Sequence, residues 1–287
     1  MFDLAGTEEG AAERNGGSCG PAGAGGPVHR IALVGSGPRG LSVLERLAAR
    51  LVADPPRTPV EIHLIDAVHV GCGRIWRTDQ PDWFLMNTVA GEVSAFSGRP
   101  DGGPARPGAG PSLAEWWATQ DPDCPGENGY APRGLHGRYM LFVLDSIRRA
   151  LPGRVRLREV LGRVLDIEPR AEPANGVRPG HRFRLRLADG AVLDADRVVL
   201  VTGHTRPELT GLHRELADFA TEHPRLRYIR CGSTADMPLE AVPAGSPVGI
   251  IGLGLSFYDV MAALTIGRGG RFEPGGRGGL VYRPSGR

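Results

Sequence analysis

Three glycines near the start of the chain have the spacing of a turn that binds a dinucleotide. Gly35, Gly37 and Gly40 form the pattern Gly-x-Gly-x-x-Gly directly after the apolar residues 31–34. In such a turn the first glycine allows a tight bend, the second lets the backbone approach a diphosphate, and the third lets the following helix pack against the strand. Free N–H groups at the start of that helix can then bind the negatively charged phosphates. The pattern thus predicts a diphosphate-binding turn.

An acidic residue closes the unit to which this turn belongs. Leu44, Leu47 and Leu51 recur at helical spacing after the turn, and residues 60–66 predict a second strand that ends in Asp66. An acid at that place can accept hydrogen bonds from ribose hydroxyls, which favours an adenosine without a ribose phosphate. An S-adenosylmethionine site has the same parts, and a chain with 43 glycines makes chance matches easy.

A second glycine turn lies near the other end of the chain. The apolar residues 247–251 are followed by Gly252, Gly254 and Ser256, and then by a predicted helix through Phe257 and Leu264. This order repeats the strand, turn and helix of the first unit. The repeat predicts a second dinucleotide site, with Gly252, Gly254 and Ser256 around the diphosphate.

The residue that closes the second unit differs from that of the first. Residues 280–282 predict a strand, and Arg283 follows them where Asp66 follows the first unit. A guanidinium binds a ribose 2′-phosphate bidentately, whereas an acid would repel it, so the second site suits NADPH. Arg283 could also be one of many solvated arginines. One acid and one arginine after two such units together predict FAD and NADPH as cofactors.

The composition excludes several function classes. All 34 basic residues are arginine, because the chain contains no lysine. A Schiff base, a pyridoxal phosphate anchor and the lysine of a phosphate-binding loop are therefore impossible within this chain. A net charge of +2 with scattered arginines gives no reason to expect binding to nucleic acid. The expected partner is a small-molecule substrate, and the sequence does not indicate an oligomeric state.

Cysteine spacing and hydropathy exclude further kinds of site and of membrane segment. Cys19, Cys72, Cys124 and Cys231 form no Cys-x-x-Cys pair, so we expect neither a zinc ribbon, nor any other metal site, nor a dithiol redox centre. The N-terminus lacks the pattern of a secretion signal, and no apolar run approaches the ~18 residues of a membrane helix. These features predict a cytoplasmic protein with reduced thiols and no membrane contact.

The glycine turns need elements that hold them in place. Residues 1–27 lack apolar periodicity and predict a disordered leader. Residues 68–98 have no clean period but contain two of the four tryptophans, which is typical of a functional loop. Ser112 and Glu115 form a capping box for a short helix, and a second, amphipathic helix is predicted through residues 141–148.

Three strand-like segments follow these helices. Alternating apolar residues predict one strand through residues 155–167 and a second at 183–187. A third, apolar strand at 198–201 closes on Thr-Gly-His, where Gly203 would let the backbone approach a bound cofactor. A further helix and a strand at 226–229 are predicted beyond it. An antiparallel insertion that returns to a parallel strand is the layout of flavoproteins that hold FAD on a parallel sheet covered by a β-meander. It disfavours a simple methyltransferase.

The combined motifs resemble the FAD/NAD(P)-binding proteins that include FAD-dependent urate hydroxylase and the nitrosuccinate-forming L-aspartate N-monooxygenase. The resemblance covers residues 28–287 and rests on the following segments: Gly35-Ser-Gly-Pro-Arg-Gly40, Gly71-x-Gly73-x-x-Trp76, Leu85-Met-Asn87, Pro132-Arg133 with Gly137-Arg138-Tyr139, Thr202-Gly203-His204, Gly252-x-Gly254-x-Ser256-Phe-x-Asp259 and the closing Tyr-Arg-Pro-Ser-Gly-Arg. It implies an α/β, Rossmann-like three-layer ββα fold with a β-meander insertion and a second dinucleotide-binding unit. The FAD-binding domain would span residues 28–210 and the start of the NAD(P)H-binding unit residues 245–287.

The resemblance also implies an activity and a set of site residues. In a flavin monooxygenase, NADPH reduces FAD and the reduced flavin activates O₂, which hydroxylates nitrogen or carbon of a small polar substrate. By motif position, FAD would contact Gly35, Ser36, Gly37, Pro38, Arg39, Gly40 and Asp66, with Arg74, Trp76 and Asn87 on the flavin side. For Trp76 and Asn87, core packing and a turn cap are the alternatives.

Two further expectations concern what the chain lacks. Family members run well beyond residue 287, so the second unit is expected to be truncated and the chain to be an N-terminal portion. Alternative functions are therefore a non-catalytic FAD/NAD(P)-binding module and a flavin oxidoreductase without oxygen insertion. No general base is evident among His63, His69 and His136, and His204 after the Thr-Gly turn is the weak candidate.

Overall fold

The computed structural model describes residues 28–170, 181–205 and 207–286, so the predicted leader at 1–27 lies outside the described residues. Within them the strands are β1 His29–Val34, β2 Val60–Asp66, β3 Val155–Leu161, β4 Val164–Pro169, β5 Phe183–Leu187, β6 Val192–Ala195, β7 Arg197–Leu200, β8 Arg271–Pro274 and β9 Leu280–Arg283. The α-helices are α1 Pro38–Ala53, α2 Leu113–Gln120, α3 Arg133–Ala150, α4 Gly211–Glu222 and α5 Leu255–Leu264.

A parallel sheet in the order β3-β2-β1-β7 forms the centre of the molecule. Its two inner strands carry side chains that are buried on both faces, among them Leu33, Ile62 and Leu64, each 0% exposed. Such burial explains why β1 and β2 appear in the sequence as short continuous apolar runs. All four strands run the same way, so their carboxyl ends meet at one edge, where ligands bind in open α/β sheets.

Helices cover one face of this sheet and a β-meander covers the other. Leu41 and Leu44 of α1 and Tyr139 of α3 belong to the core on the helical face. On the opposite face, Leu185 and Leu187 of the antiparallel sheet β4-β5-β6 pack against Ala32, Val34 and Ile65. The predicted three-layer α/β fold with a meander insertion is confirmed, as are α1, β2 and the capping box that starts α2.

The single strand predicted through residues 155–167 is wrong. The chain forms two strands there, because β3 pairs in parallel with β2 while β4 pairs antiparallel with β5. The break falls at Gly162, whose N–H donates to the carbonyl of Asp66 at 2.8 Å. Apolar residues continue on both sides of Gly162, at Val155 and Leu157 and at Val164 and Ile167, so the sequence pattern alone could not assign them to different sheets.

Helix α3 begins earlier than the predicted helix through residues 141–148. It starts at Arg133 and includes Gly134 and Gly137, although glycine disfavours helix interiors. A Cβ on Gly137 would lie 2.0 Å from the carbonyl oxygen of Trp76, and one on Gly134 would lie 3.1 Å from that of Thr78. The two glycines therefore let the irregular segment pack directly on the first turns of α3.

Two predicted strands in the second half are absent from the described residues. Residues 226–229 and 247–251 form no ladder, and Ile251 is 68% exposed. An apolar run becomes a strand only when a neighbouring strand accepts its hydrogen bonds, and the described part of the chain supplies none there. The helix expected after the second glycine turn does form, as α5.

The strand at residues 280–282 forms, but not as the closing strand of a βαβ unit. It is β9, which pairs antiparallel with β8, a strand that the sequence did not indicate. Parallel strands need a crossover, whereas an antiparallel hairpin needs only a short loop. The second unit consequently contains a glycine turn and a helix without the parallel strands on either side.

Candidate functional site

The first glycine turn lies at the edge where the parallel strands end. Gly35 follows β1 with a φ of +106°, and a Cβ there would lie 2.3 Å from the carbonyl oxygen of Val201. A Cβ on Gly40, in the first turn of α1, would lie 2.1 Å from the carbonyl oxygen of Gly35. A side chain at Gly35 or Gly40 would therefore collide with the backbone. The two glycines let β1, α1 and the end of β7 pack closely together.

The middle glycine faces open space. Gly37 is the N-cap of α1, no side chain caps the helix within the described chain, and a Cβ on Gly37 would meet only the carbonyl oxygen of Cys72, at 3.9 Å. The first N–H groups of a helix have no partner within it. With Pro38 and Arg39 at its start, this uncapped helix end therefore fits a diphosphate, which would bind to N–H groups at the positive end of the helix dipole.

Asp66 supports the same turn from the end of β2. One carboxylate oxygen accepts from the backbone N–H and the hydroxyl of Ser36 at 3.0 and 3.1 Å. The other accepts from the N–H groups of Val68 and His69 at 2.9 and 3.2 Å. Contact of Asp66 with a ribose stays a prediction, and the carboxylate already holds the turn through four protein donors.

A further glycine turn, at residues 71–73, packs beside the first. A Cβ on Gly73 would lie 3.0 Å from the Cα of Gly37, and the N–H of Gly71 donates to the Ser36 hydroxyl at 2.8 Å. Cys72 between them is completely buried, and burial raises the pKa of its thiol to about 11. The thiol stays protonated at neutral pH, so it is not a nucleophile here.

Trp76 contacts a histidine of α3. The rings of Trp76 and His136 meet edge to face, with centroids 4.5 Å apart. His136 is 4% exposed, its Nδ1 atom is buried without a hydrogen-bond partner, and burial lowers its pKa to about 4. The imidazole is therefore neutral at pH 7, with one nitrogen as donor and the other as acceptor.

The other residues predicted on the flavin side lie in different surroundings. Arg74 forms an ion pair with Asp236, which also pairs with Arg77 at 2.7 Å. Asn87 is exposed. Gly203, with a φ of +77°, leaves open space beside the first turn, and His204 is exposed. The contacts of Arg74 and Asn87 with a flavin and of Gly203 with a cofactor stay predictions, as does the weak catalytic candidacy of His204.

The second glycine turn repeats the backbone of the first. Gly252 has a φ of +99°, and Gly254 caps α5 with φ −75° and ψ −172°, close to the φ −62° and ψ −171° of Gly37. No atom lies within 4 Å of a Cβ built on either glycine, and Ser256 is exposed. Arg283 pairs with Glu273 at 3.1 Å in the β8–β9 hairpin. These residues do not approach the first turn, and their role toward NADPH stays a prediction.

Comparison with known proteins identifies the family. A model of FAD-NAD(P)-binding proteins matches residues 32–205, which is more than half of the chain. The chain belongs to this FAD-NAD(P)-binding family. It is 38% identical to an L-aspartate N-monooxygenase (nitrosuccinate-forming) of Streptomyces davaonensis over 90% of this chain and 42% of the relative. It is 36% identical to a nitrosuccinic acid synthase of Aspergillus oryzae over 93% of this chain and 40% of the relative.

The chain thus spans about two fifths of the length of these relatives. A solved structure with a similar fold is the lysine monooxygenase NbtG from Nocardia farcinica, at 17% identity and a TM-score of 0.39 over 68% of this chain and 49% of that one. Within the described residues of this family member, no group of acidic, histidine or cysteine side chains could hold a metal ion. No described helix is long and apolar enough to cross a membrane.

One buried polar residue of the first glycine-turn unit was not indicated by the sequence pattern. Glu45 lies on the inner face of α1 between Leu41 and Ala48 and is 1% exposed. Its Oε1 atom accepts from the N–H and hydroxyl of Ser97 at 3.2 and 3.0 Å and from the N–H of Gly108 at 2.6 Å. A glutamate at an apolar position of an amphipathic helix is the signal that could have found it.

Proposed function

We propose that this chain is the cofactor-binding part of a flavin-dependent monooxygenase, which uses FAD and NADPH to hydroxylate nitrogen or carbon of a small polar molecule. The observation that carries the proposal is the pair of glycine turns with matching backbone angles, each at the start of an uncapped helix. Two such turns suit two dinucleotides. Membership of the FAD-NAD(P)-binding family and two relatives that form nitrosuccinate or nitrosuccinic acid support the same proposal.

L-aspartate is the first substrate to test. The relative from Streptomyces davaonensis is named for N-oxygenation of L-aspartate. Because this chain spans about two fifths of that protein, the substrate and the complete reaction are proposals for the whole enzyme.

The described residues would hold the cofactor rather than perform the oxidation. When bound, FAD supplies hydride acceptance and oxygen activation. The N–H groups at the start of α1 would bind its diphosphate, Gly35 and Gly40 keep that helix end against the sheet, and Asp66 fixes the turn through Ser36. Trp76, with its edge contact to His136, would present an aromatic surface.

A pair of matched substitutions tests the two-cofactor proposal. Aspartate at an N-cap accepts from the free N–H groups and stabilises the helix, and its charge would repel a diphosphate. We expect Gly37→Asp to fold normally, to lose FAD and to keep NADPH binding. Gly254→Asp should keep FAD and lose NADPH binding. Flavin fluorescence quenching and NADPH titration measure both affinities, and a folded Gly37→Asp variant with unchanged FAD affinity would contradict the proposal.

Turnover separates monooxygenation from the alternatives. Bleaching of bound FAD by NADPH, with product formed from L-aspartate and not from L-asparagine, supports the monooxygenase. Bleaching with peroxide release alone indicates an oxidoreductase without oxygen insertion. The exposed apolar residues before the second turn, including Ile251, favour a binding module as the second candidate. Such a module would bind FAD without any oxidation of NADPH.

A further inference from the structure

A cleft of about 200 Å³ runs along α1 from its first residue. One wall is formed by Pro38 and Ser42, and the facing wall by residues 93–97 and by His136 and Met140 of α3. Two polar side chains that line the cleft are more than nine-tenths buried, Glu45 at 1% and His136 at 4% exposed. The cleft therefore begins where the diphosphate would bind and continues between two buried polar groups.

Glu45 has an unused acceptor in this cleft. All three of its hydrogen bonds, from Ser97 and Gly108, reach the Oε1 atom. The Oε2 atom accepts none from the described part of the chain. This oxygen is not among the fully buried side-chain atoms that lack a partner, so it is open to the cleft that Glu45 lines. A ligand group with O–H donors could therefore reach it and donate to this charged carboxylate oxygen.

His136 supplies a second unused group. Its Nδ1 atom is buried without a partner, while the ring is held in place against Trp76 at 4.5 Å. A neutral imidazole offers one donor and one acceptor, and a hydroxyl can be the partner of either. The same ligand chemistry thus satisfies both side chains.

We propose that Glu45 and His136 bind the hydroxylated ribityl chain that links the isoalloxazine to the diphosphate, an assignment that rests on the proposed FAD-binding function. The diphosphate has no donors and would be repelled by the Glu45 carboxylate. The adenosine ribose is expected at the other side of the turn, where β2 ends in Asp66. The ribityl chain is the remaining part of FAD that is both next to the diphosphate and rich in hydroxyl donors.

The test measures the dissociation constants of four ligands that contain different parts of FAD. FAD and riboflavin contain the ribityl chain, lumiflavin is the ring system without it, and ADP is the nucleotide half. For Glu45→Gln we expect dissociation constants about tenfold higher for FAD and riboflavin, because a hydrogen bond to a charged group is replaced by a weaker neutral one. The constants for lumiflavin and ADP should stay within about twofold of the wild-type values.

A second variant covers the possibility that Glu45→Gln fails to fold. His136→Phe keeps an aromatic ring against Trp76 and removes both nitrogens, and we expect the same selective loss of FAD and riboflavin affinity. Equal weakening of all four ligands, or of none, would overturn the assignment. Wild-type protein that binds no FAD would overturn the proposed function itself, whereas wild-type binding with unselective variants overturns only the ribityl site.

Discussion

At the scale of single residues, Asp66 combines a structural role with a predicted binding role. Its four hydrogen bonds hold Ser36, Val68 and His69 around the first glycine turn. A carboxylate that fixes the turn also fixes the N–H groups that would bind the diphosphate. Loss of the carboxylate should therefore affect folding as well as FAD binding.

The substitution Asp66→Asn tests this dual role. The amide keeps one acceptor oxygen and turns an N–H₂ group toward two of the donors, so we expect a loss of roughly 2–3 kcal/mol in the free energy of unfolding. Denaturant unfolding measures it, with Asp82→Asn as the control, because Asp82 is exposed and makes no hydrogen bond in the described chain. Unchanged stability with lost FAD binding would instead indicate that Asp66 acts only on the ribose.

His136 makes stability depend on pH. Its folded-state pKa of about 4 lies below the ordinary value of about 6.5, so the unfolded chain binds more protons between these values and stability falls as the pH drops through this window. Between pH 7 and pH 5 we expect this residue to lower the free energy of unfolding by about 2 kcal/mol. His136→Phe should lose that part of the pH dependence. Parallel stability profiles for wild type and variant from pH 7 to 5 would contradict the assignment.

At the scale of elements, the contact between α3 and residues 76–80 depends on a missing side chain. Gly137→Ala adds a methyl group 2.0 Å from the carbonyl oxygen of Trp76, which is backbone and cannot rotate away. Alanine has the better helix propensity, by about 1 kcal/mol, but we expect a steric cost of roughly 2–4 kcal/mol. The variant should therefore have a lower free energy of unfolding than the wild type.

Chemical denaturation of Gly137→Ala measures the balance. Gly153→Ala is the control, since no atom lies within 4 Å of a Cβ at that position, and its stability should stay within about 0.5 kcal/mol of wild type. A Gly137→Ala protein more stable than wild type would show that the helix can shift away from Trp76.

The helices and strands show which structural features the sequence patterns could predict. Periodicity found β1, α1 and β2, because each buries an apolar face or run that is visible in the sequence. It could not divide residues 155–167 between two sheets, since that division depends on the partner of each strand. It also placed the start of α3 too late, because Gly134 and Gly137 look like helix breakers until their contacts with the irregular segment are known.

The parts of the site that are contiguous in the sequence could be predicted, whereas the contacts between distant segments could not. Gly35, Gly37 and Gly40 form one turn within six residues, so their role could be inferred from spacing. Glu45 and His136 lie on different helices and share a cleft only after folding. The ion pair of Arg74 could not be predicted either, because its partner Asp236 lies more than 150 positions away in the sequence.

At the scale of the whole molecule, partly buried ion pairs connect the second half of the chain to the first. Asp236 pairs with Arg74 and Arg77, and Asp259 of α5 pairs with Arg133 at the start of α3 at 2.5 Å. The Thr234 hydroxyl also donates to Asp259 at 3.4 Å. Asp259 is the acid of the second glycine motif, so the helix of the second unit is fixed to the helix that carries His136. This contact joins the helix after the second glycine turn to α3.

A double-mutant cycle on Arg133 and Asp259 tests this connection. Breaking a partly buried pair leaves a charge that water can only partly solvate, so Arg133→Met and Asp259→Asn should each cost roughly 1–3 kcal/mol, and the double variant should cost clearly less than their sum. Faster hydrogen exchange in α5, with α2 unchanged, would locate the effect. The exposed pair Arg149 and Asp145 is the control, with coupling below about 1 kcal/mol. Additive losses at Arg133 and Asp259 would mean that the ion pair does not couple α5 to α3 and that apolar packing holds the second unit.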